Sequence, residues 1–269
     1  MEGAVATPLP SCTDEAPHPP VRGFVVRGPT VGRVVVLWAG LVVAVGAVVQ
    51  GTVGFGLALV AAPLLALLDP RYVPVPLIVV AGAHAVLALV REWRDADWRG
   101  VAWALAGRLP GAALGATVVA LLPYRGFATF VAGAVLVCVA LSLVRLRLRP
   151  TPPALLVAGA VSGVSGTAAG IGGPPVALLY QNEHGATVRA TLGAYFGLGT
   201  LLSLGVLAAG GQVDGARLLQ GAVLIPFMAA GFLLSNPLRR LLDRGWTRPA
   251  VLGLAAVTAV VLLVQAQLA

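Results

Sequence analysis

The chain has 269 residues, of which 58% are hydrophobic and 10% are charged, and its mean hydropathy is +0.93. This composition excludes an ordinary water-soluble domain and indicates an integral membrane protein surrounded by the lipid bilayer. The net charge is +8, but every basic residue is an arginine and most lie between apolar runs, so we expect no nucleic-acid partner.

A polar, proline-rich stretch opens the chain and carries Asp14 and Glu15. It lacks the order of charged, apolar and small residues that marks a signal peptide. We therefore predict a disordered tail over residues 1–30. The two cysteines, Cys12 in this tail and Cys138 in an apolar run, exclude a disulfide framework, and we expect Cys138 to be a packing residue.

Ten apolar runs follow the tail, separated by glycine, proline and polar residues. A helix needs about 20 apolar residues to cross a bilayer. The runs therefore predict an all-α, polytopic membrane helix bundle. The predicted segments are 33–50, 56–68, 73–90, 100–122, 126–144, 154–169, 174–182, 190–209, 217–236 and 249–267.

The ten segments form two sets of five, and in each set a glycine-rich break precedes a short second segment. Internal repeats are frequent in transporters. We predict two membrane repeats, over residues 31–149 and 150–269. Glycines and prolines recur at a separation of 116 residues, namely Gly54 with Gly170, Gly56 with Gly172, Pro110 with Pro226 and Gly115 with Gly231.

An odd number of segments per repeat predicts that the second repeat is inverted relative to the first. The loops after the third, fifth, seventh and ninth segments then share one side, which holds eleven arginines against three opposite. By the positive-inside rule, that side faces the cytoplasm. Arg22, Arg27 and Arg33 fall on the wrong side; a re-entrant first break with the N-terminus inside would remove this contradiction.

Residues 50–56 and 165–175 form the two breaks. Irregular backbone survives at membrane depth only where it is buried in protein or lines a wet cavity. Pro174 and Pro175 suit a first helical turn, so we predict helix N-termini that point inward and attract an anion. With Arg108, the predicted substrate-binding residues are Thr52, Gly54, Gly56, Ser165, Thr167, Gly170, Gly172 and Gly173.

Close helix packing is the alternative explanation of both breaks, because glycine lets membrane helices cross at short distance. Under that explanation the breaks bind nothing. Gly111, Gly115 and Gly133 lie inside predicted segments, and we assign these three glycines to helix packing outright.

Two ionisable side chains fall well inside predicted segments, where such residues are costly and often functional. Arg108 either extends to the membrane interface or faces a cavity, where it would balance an anionic solute. His84 is either a hydrogen-bonded structural residue or a candidate for proton coupling. It corresponds to Thr200 at the separation of 116 residues, so both repeats offer a polar group at that depth.

All acidic residues fall in the tail or in predicted loops, which disfavours cation transport, carboxylate proton relays and oxygen-ligand metal sites. We expect no metal, no cofactor and no catalytic residue. Glu183 and His184 are assigned to a solvated loop. The acidic residues are Glu2, Asp14, Glu15, Asp69, Glu92, Asp95, Asp97, Glu183, Asp214 and Asp243.

Both glycine breaks resemble those of the sulfite exporter TauE/SafE family of membrane transport proteins. The resemblance covers residues 35–267 and rests on Gly54-Phe55-Gly56 with Pro63, on the stretch Gly-Ile-Gly-Gly-Pro-Pro at 170–175, and on residues 110–115 and 226–231. It implies a multi-pass permease of bacterial cytoplasmic membranes that moves sulfur-containing anions such as sulfite or sulfonates, generally outward. The family's commoner GxGGG form is absent from both halves.

The leading hypothesis is a secondary transporter whose two breaks meet near the bilayer midplane and hold a small anion by alternating access. A passive anion channel has the same fold and is the first alternative. An intramembrane enzyme is the second, but Thr52, Ser165 and Thr167 have no histidine or acid within their own segments. The sequence leaves the oligomeric state open.

Overall fold

The structure, a computed structural model, describes residues 29–143, 148–242 and 247–268. The predicted tail lies outside these residues, except that residues 29 and 30 begin the first helix. The described residues form ten α-helices: α1 (Pro29–Val53), α2 (Leu57–Leu68), α3 (Val75–Glu92), α4 (Trp98–Leu121), α5 (Tyr124–Leu143), α6 (Pro152–Ala169), α7 (Gly173–Tyr180), α8 (Gly185–Ala209), α9 (Gly215–Leu242) and α10 (Thr247–Leu268).

Seven of these helices are long and apolar enough to cross a membrane. The predicted all-helical, polytopic bundle is therefore confirmed, and each predicted segment corresponds to a helix. The helices α2 and α7 have only 12 and 8 residues. At about 1.5 Å per residue they extend roughly 18 and 12 Å, so neither crosses the hydrocarbon layer of about 30 Å on its own.

Glycine conformations produce both breaks. Between α1 and α2, Gly54 and Gly56 have φ angles of 94° and 128°, and Gly170 at the end of α6 has a φ of 74°. Residues with a Cβ atom rarely adopt such angles. Each long helix therefore ends where glycine is required, and a short helix starts a few residues later. Gly46 of α1 lies against Leu57, so α2 folds back beside α1.

The two halves of the chain interlock through α4, which packs along α6, and α1, which packs along α9. A Cβ atom added to Gly107 would collide with the carbonyl oxygen of Leu156, and one added to Gly111 with that of Ala160. From the first contact to the second, the residue numbers rise in both helices, so α4 and α6 run parallel. Gly115 packs in the same way against Val164, which confirms the packing role of Gly111 and Gly115.

Gly133 of α5 is a correction to the sequence analysis. A Cβ atom added there would meet nothing within 4 Å, so this glycine does not lie at a helix crossing and its assignment to packing is wrong. Glycine is abundant throughout this chain, so a glycine within an apolar run does not by itself indicate a helix crossing. Cys138, in the same helix, is 3% exposed within the apolar core, as predicted.

Corresponding helices of the two halves run antiparallel where they meet. Gly82 of α3 lies against Thr200 of α8, whereas Leu89 of α3 lies against Gly193. The numbers therefore rise along one helix as they fall along the other. Arg125, at the start of α5, donates a hydrogen bond of 3.0 Å to the carbonyl oxygen of Ala266 near the end of α10.

The described loops after α3, α5 and α7 share one end of the bundle, as the sequence predicted. The hydroxyl of Tyr180 in α7 donates a hydrogen bond of 2.8 Å to Asp97 between α3 and α4. One cavity is lined by both Ser142 of α5 and Gln181 after α7. We call this the arginine-rich end, because Arg94, Arg99, Arg149 and Arg189 lie in or beside these loops.

The opposite end of the bundle carries the loops after α2, α4 and α8. Residues of all three loops, including Pro70, Leu122 and Gln212, line one groove. The order of contacts along α1 and α9, Gly40 with Phe227 and Ala44 with Gly231, makes these helices parallel. The start of α1 therefore lies at the opposite end with the start of α9, which does not support the alternative that brings the N-terminus to the arginine-rich side; Arg22 and Arg27 lie outside the described residues.

Substitution of Gly111 by alanine tests the parallel contact between α4 and α6. Gly111→Ala should lower the free energy of unfolding by about 1–3 kcal/mol, because the new methyl group collides with the carbonyl oxygen of Ala160. Gly133→Ala should raise it by up to about 1 kcal/mol, since alanine favours a helix and meets open space there. Denaturant unfolding in detergent measures both; equal effects would contradict the described contact.

Candidate functional site

A cavity of about 40 Å³ lies where the two breaks meet, and we call it the central cavity. A Cβ atom added to Gly173 would lie 3.1 Å from the Cβ of Phe55, so the starts of α2 and α7 approach each other. The volume is enough for a few water molecules or one small polyatomic ion. The lining includes Gln50, Phe55, Gly56, Arg108, Gly170, Gly172, Gly173, Phe196 and Thr200.

The central cavity is at mid-depth of the bundle, because Arg108 lies about midway along α4 and Thr200 lies well inside α8. Both short helices therefore begin near the centre. From there α2 runs to the opposite end of the bundle, and α7 runs to the arginine-rich end. The first N–H groups of a helix have no partner within that helix, and they carry the positive end of its dipole.

Arg108 contributes a buried guanidinium to this cavity, with only 4% of the residue exposed. Its Nη1 donates to the hydroxyls of Ser162 at 3.3 Å and Tyr195 at 3.2 Å, and its Nη2 donates to Ser203 at 3.0 Å. The guanidinium also lies over the Tyr195 ring, 5.2 Å from its centroid. Its Nε has no hydrogen-bond partner among the described residues.

These partners of Arg108 are neutral, and within the described chain no carboxylate forms an ion pair with it. A buried charge without a counter-ion is strongly disfavoured in a region of low dielectric constant. Hydroxyl oxygens orient and partly stabilise the guanidinium, but they do not neutralise it. The central cavity is therefore an electropositive site.

Ser162 connects the guanidinium to the second break. Its hydroxyl donates a hydrogen bond of 2.5 Å to the carbonyl oxygen of Gly172, and it accepts one of 2.7 Å from Tyr195. The backbone just before α7 is thereby held by the same hydroxyl group that contacts Arg108. The position of the charge and the direction of α7 are linked through one side chain.

Gln50 holds the first break. Its Oε1 accepts a hydrogen bond of 3.0 Å from the backbone N–H of Leu57, the first residue of α2. Its Nε2 lies 3.1 Å from Nδ1 of His84 on α3. Both side chains are buried, and the His84 ring packs edge-on against Phe232, with ring centroids 5.1 Å apart. A small cavity of about 20 Å³, the side cavity, is lined by Gln50, Gly54, His84, Arg189, Phe196 and Phe232.

A wider cavity of about 290 Å³, which we call the vestibule, lies at the arginine-rich end. Thr52, Phe55, Pro174, Glu183 and Arg189 contribute to its lining. Phe55 and Pro174 also line the central cavity, so these two residues stand between the vestibule and the site. His184, like Glu183, is exposed in the loop that was predicted.

The predicted site residues divide into three groups, one at the central cavity, one at the side cavity and one of hydroxyl residues that lie away from the central cavity. Gly56, Gly170, Gly172 and Gly173 meet at the central cavity with Arg108, whereas Gly54 and His84 line the side cavity.

Three predicted hydroxyls lie away from the central cavity. Thr52 lines the vestibule and donates to the carbonyl oxygen of Val49, and Ser165 donates to that of Val161. Thr167 reaches Arg108 only indirectly, through a hydrogen bond of 2.8 Å to Ser203.

Several residues of the site were missed by the sequence analysis, namely Ser162, Tyr195 and Ser203 around Arg108, Gln50 at the first break, and Arg189, which had been counted as a loop charge. Gln50 is a polar residue at the end of a long apolar run, and that signal was available. The three hydroxyls carry no such signal. Among the described residues, no group of three histidine, cysteine or acidic side chains is placed to hold a metal ion.

Comparison with known proteins identifies the family of this chain. The family model described as sulfite exporter TauE/SafE matches residues 38–262, which include both breaks, His84 and Arg108. No match was found among curated proteins or among solved structures. Since the family model covers most of the chain, the resemblance found in the glycine breaks is confirmed. The chain belongs to the sulfite exporter TauE/SafE family of membrane transporters.

Proposed function

We propose that the protein is a secondary transporter that moves a small anion, such as sulfite or an organosulfonate, out of the cell across the bacterial cytoplasmic membrane. One observation carries the proposal: the guanidinium of Arg108 is buried beside both breaks, and its partners among the described residues are all neutral. An anion in the central cavity would supply the missing charge. Membership of a transporter family supports movement of the solute across the membrane.

Within this proposal the glycines Gly56, Gly170, Gly172 and Gly173 let the anion approach the backbone at the starts of α2 and α7. Arg108 balances its charge. The N–H groups at the start of α2 and the N–H of Gly173 at the start of α7, where Pro174 and Pro175 have none, point from opposite sides, because α2 and α7 run in opposite directions away from the cavity. Gly54 shapes the side cavity, and His84 within it is the candidate for proton coupling.

The hydroxyl residues have smaller roles in the proposal. Thr52 lies on the route through the vestibule, and Thr167 orients Ser203, which in turn contacts Arg108. Ser165 is assigned no direct contact with the anion, because its hydroxyl is bonded to a carbonyl of its own helix.

We also propose that the two halves are inverted repeats, as the sequence predicts. The antiparallel contact of α3 with α8 supports inversion, because these helices correspond at the separation of 116 residues and directly repeated helices would run in the same direction. The exchange of partners supports it as well: α4 packs on α6, and their counterparts α9 and α1 pack on each other.

The arginine-rich end faces the cytoplasm in this proposal, by the positive-inside rule. The vestibule opens at that end and approaches the central cavity as far as Phe55 and Pro174. Entry of an anion from the cytoplasm therefore begins in a space lined by Arg189. This arrangement supports export, because the solute would reach the site from the inside.

Removal of the charge tests the site. In proteoliposomes, Arg108→Ala should reduce saturable sulfite flux and anion affinity by roughly 10- to 100-fold, the loss expected for hydrogen bonds to a charged group. Arg71→Ala, which removes an exposed arginine at the opposite end, is the matched control and should transport normally. Wild-type flux in Arg108→Ala that has remained folded would remove Arg108 from the mechanism. Counterflow in the wild-type protein separates a carrier from a channel.

Bulk at the second break should block the site. A Cβ atom at Gly172 would lie 2.9 Å from the Ser162 hydroxyl and 3.0 Å from Nη1 of Arg108. We expect Gly172→Val to abolish sulfite flux, whereas Gly133→Val, whose side chain meets open space, should retain it. Flux measurements on folded proteins decide this, and equal damage by both substitutions would contradict a specific role of Gly172 in the site.

Orientation is tested by cysteine labelling in a background of Cys12→Ser and Cys138→Ala. A membrane-impermeant maleimide added to intact cells should label Gly215→Cys, at the opposite end, because that end faces outward. Asn182→Cys, in the loop after α7, should react only after the cells are permeabilised. The reverse pattern would place the arginine-rich end outside and contradict the proposed direction of entry.

A further inference from the structure

We propose that Gln50 is a positioning residue that couples protonation of His84 to anion binding, so that the anion and one proton bind together. This inference rests on the proposed function, since it concerns the protonation of the same site when the anion binds. The geometry that supports it is a row of three groups connected by hydrogen bonds: the first N–H of α2, the amide of Gln50 and the ring of His84.

The hydrogen-bond directions along this row are fixed by its first member. The backbone N–H of Leu57 is only a donor, so the atom of Gln50 that lies 3.0 Å away must be the amide oxygen. The NH₂ group of Gln50 then faces Nδ1 of His84 at 3.1 Å and must donate to it. Nδ1 therefore carries a lone pair, and the neutral ring has its proton on Nε2.

Protonation of His84 reverses the direction of the hydrogen bond between His84 and Gln50. A proton added to Nδ1 would face the NH₂ group of Gln50, and two donors cannot share a hydrogen bond. Rotation of the Gln50 amide by about 180° restores the bond, since the amide oxygen then accepts from Nδ1–H. The NH₂ group turns toward Leu57, whose backbone N–H has now lost its acceptor.

Two N–H donors are left without an acceptor beside the central cavity, where Gln50 is part of the lining. An anion oxygen is the acceptor that both can share. Protonation of His84 thus prepares the first break for an anion, and an anion that is bound there stabilises the rotated amide and the charged ring. Each event favours the other by the same free energy, as linkage requires.

The charged groups around His84 agree with this coupling. The helix of His84 packs against α2, α8 and α9, and of these α8 contributes Arg189 to the side cavity; Arg108 of α4 lines the adjoining central cavity. No carboxylate of the described residues lines either cavity. An anion that binds in the central cavity would bring a negative charge close to His84, and a nearby opposite charge favours the protonated ring.

Proton uptake on binding tests the inference. We would titrate the purified full chain with thiosulfate, whose charge is constant over about pH 5 to 8, in weak buffer with an indicator dye. The expected result is uptake of close to one proton per anion, with affinity rising by up to about tenfold for each unit by which the pH falls. Histidine labelled with ¹⁵N should change from the Nε2–H tautomer to the doubly protonated ring on binding.

Gln50→Leu separates positioning from folding. It should still bind thiosulfate, with lower affinity, but without proton uptake and with an affinity that no longer depends on pH. His84→Gln should lose the uptake in the same way, and His184→Gln, which alters an exposed histidine, should keep it. Gln50→Glu offers acceptors to both neighbours, so the ¹⁵N spectrum should show a charged His84 before any anion is added.

The outcomes distinguish the two proposals. If wild-type protein binds thiosulfate without taking up a proton, or if folded Gln50→Leu keeps both the uptake and the pH dependence, the coupling through Gln50 is wrong while the anion site stands. If neither thiosulfate nor sulfite binds to folded wild-type protein at any pH, the proposed function itself fails.

Discussion

The arrangement of this protein depends on one buried positive charge that neutral groups position but do not neutralise. Arg108 lies near the middle of α4, where exposure to lipid would be costly, and its hydrogen bonds go to hydroxyls of α6 and α8. Those bonds require α4 to lie close to α6. The contact is made by glycines: Gly163 of α6 lies against the carbonyl of Arg108 itself. The glycine contacts that pack α4 on α6 therefore also position the charge of the site.

The two halves supply similar structural elements but different functional groups to the site. Each half supplies a glycine break and a short helix that starts at the central cavity, and in each half a polar side chain holds the break. In the first half that side chain is Gln50, which accepts from the N–H of Leu57; in the second it is Ser162, which donates to a carbonyl oxygen. His84 and Thr200, which correspond at the separation of 116 residues, line different cavities. If the halves are the repeats proposed above, the common pattern of a break and a short helix accounts for the shape of the site, and the residues that differ between the halves account for its charge.

The sequence was sufficient for the features that follow from local chemistry. Apolar runs predicted the ten helices, glycines predicted both breaks, and the grouping of arginines predicted which loops share an end of the bundle. Arg108 was recognisable because a charge is rare within an apolar run. The side chains around it were not recognisable, because Ser162, Tyr195 and Ser203 are ordinary residues until α6 and α8 are known to pack on α4. Thr52 and Ser165 show the opposite error, since residues next to a break in sequence can still turn their hydroxyls to carbonyls of their own helix.

Under the transport function proposed above, the interlocked halves would limit how alternating access works. Where glycines of α4 meet the carbonyls of Leu156 and Ala160, the two backbones are in contact, and α1 meets α9 in the same manner through Gly231 and Ala44. Sliding along either contact would drive carbonyl oxygens into neighbouring helices, and close-packed interiors resist such displacement. In such a cycle the bodies that move as units would be the mixed pairs, α4 with α6 and α1 with α9, rather than the two halves of the sequence. The central cavity lies between these pairs, with Arg108 on one and Gln50 on the other. A motion that separates them on one side of the site closes them on the other, and an anion held by both would move the pairs together.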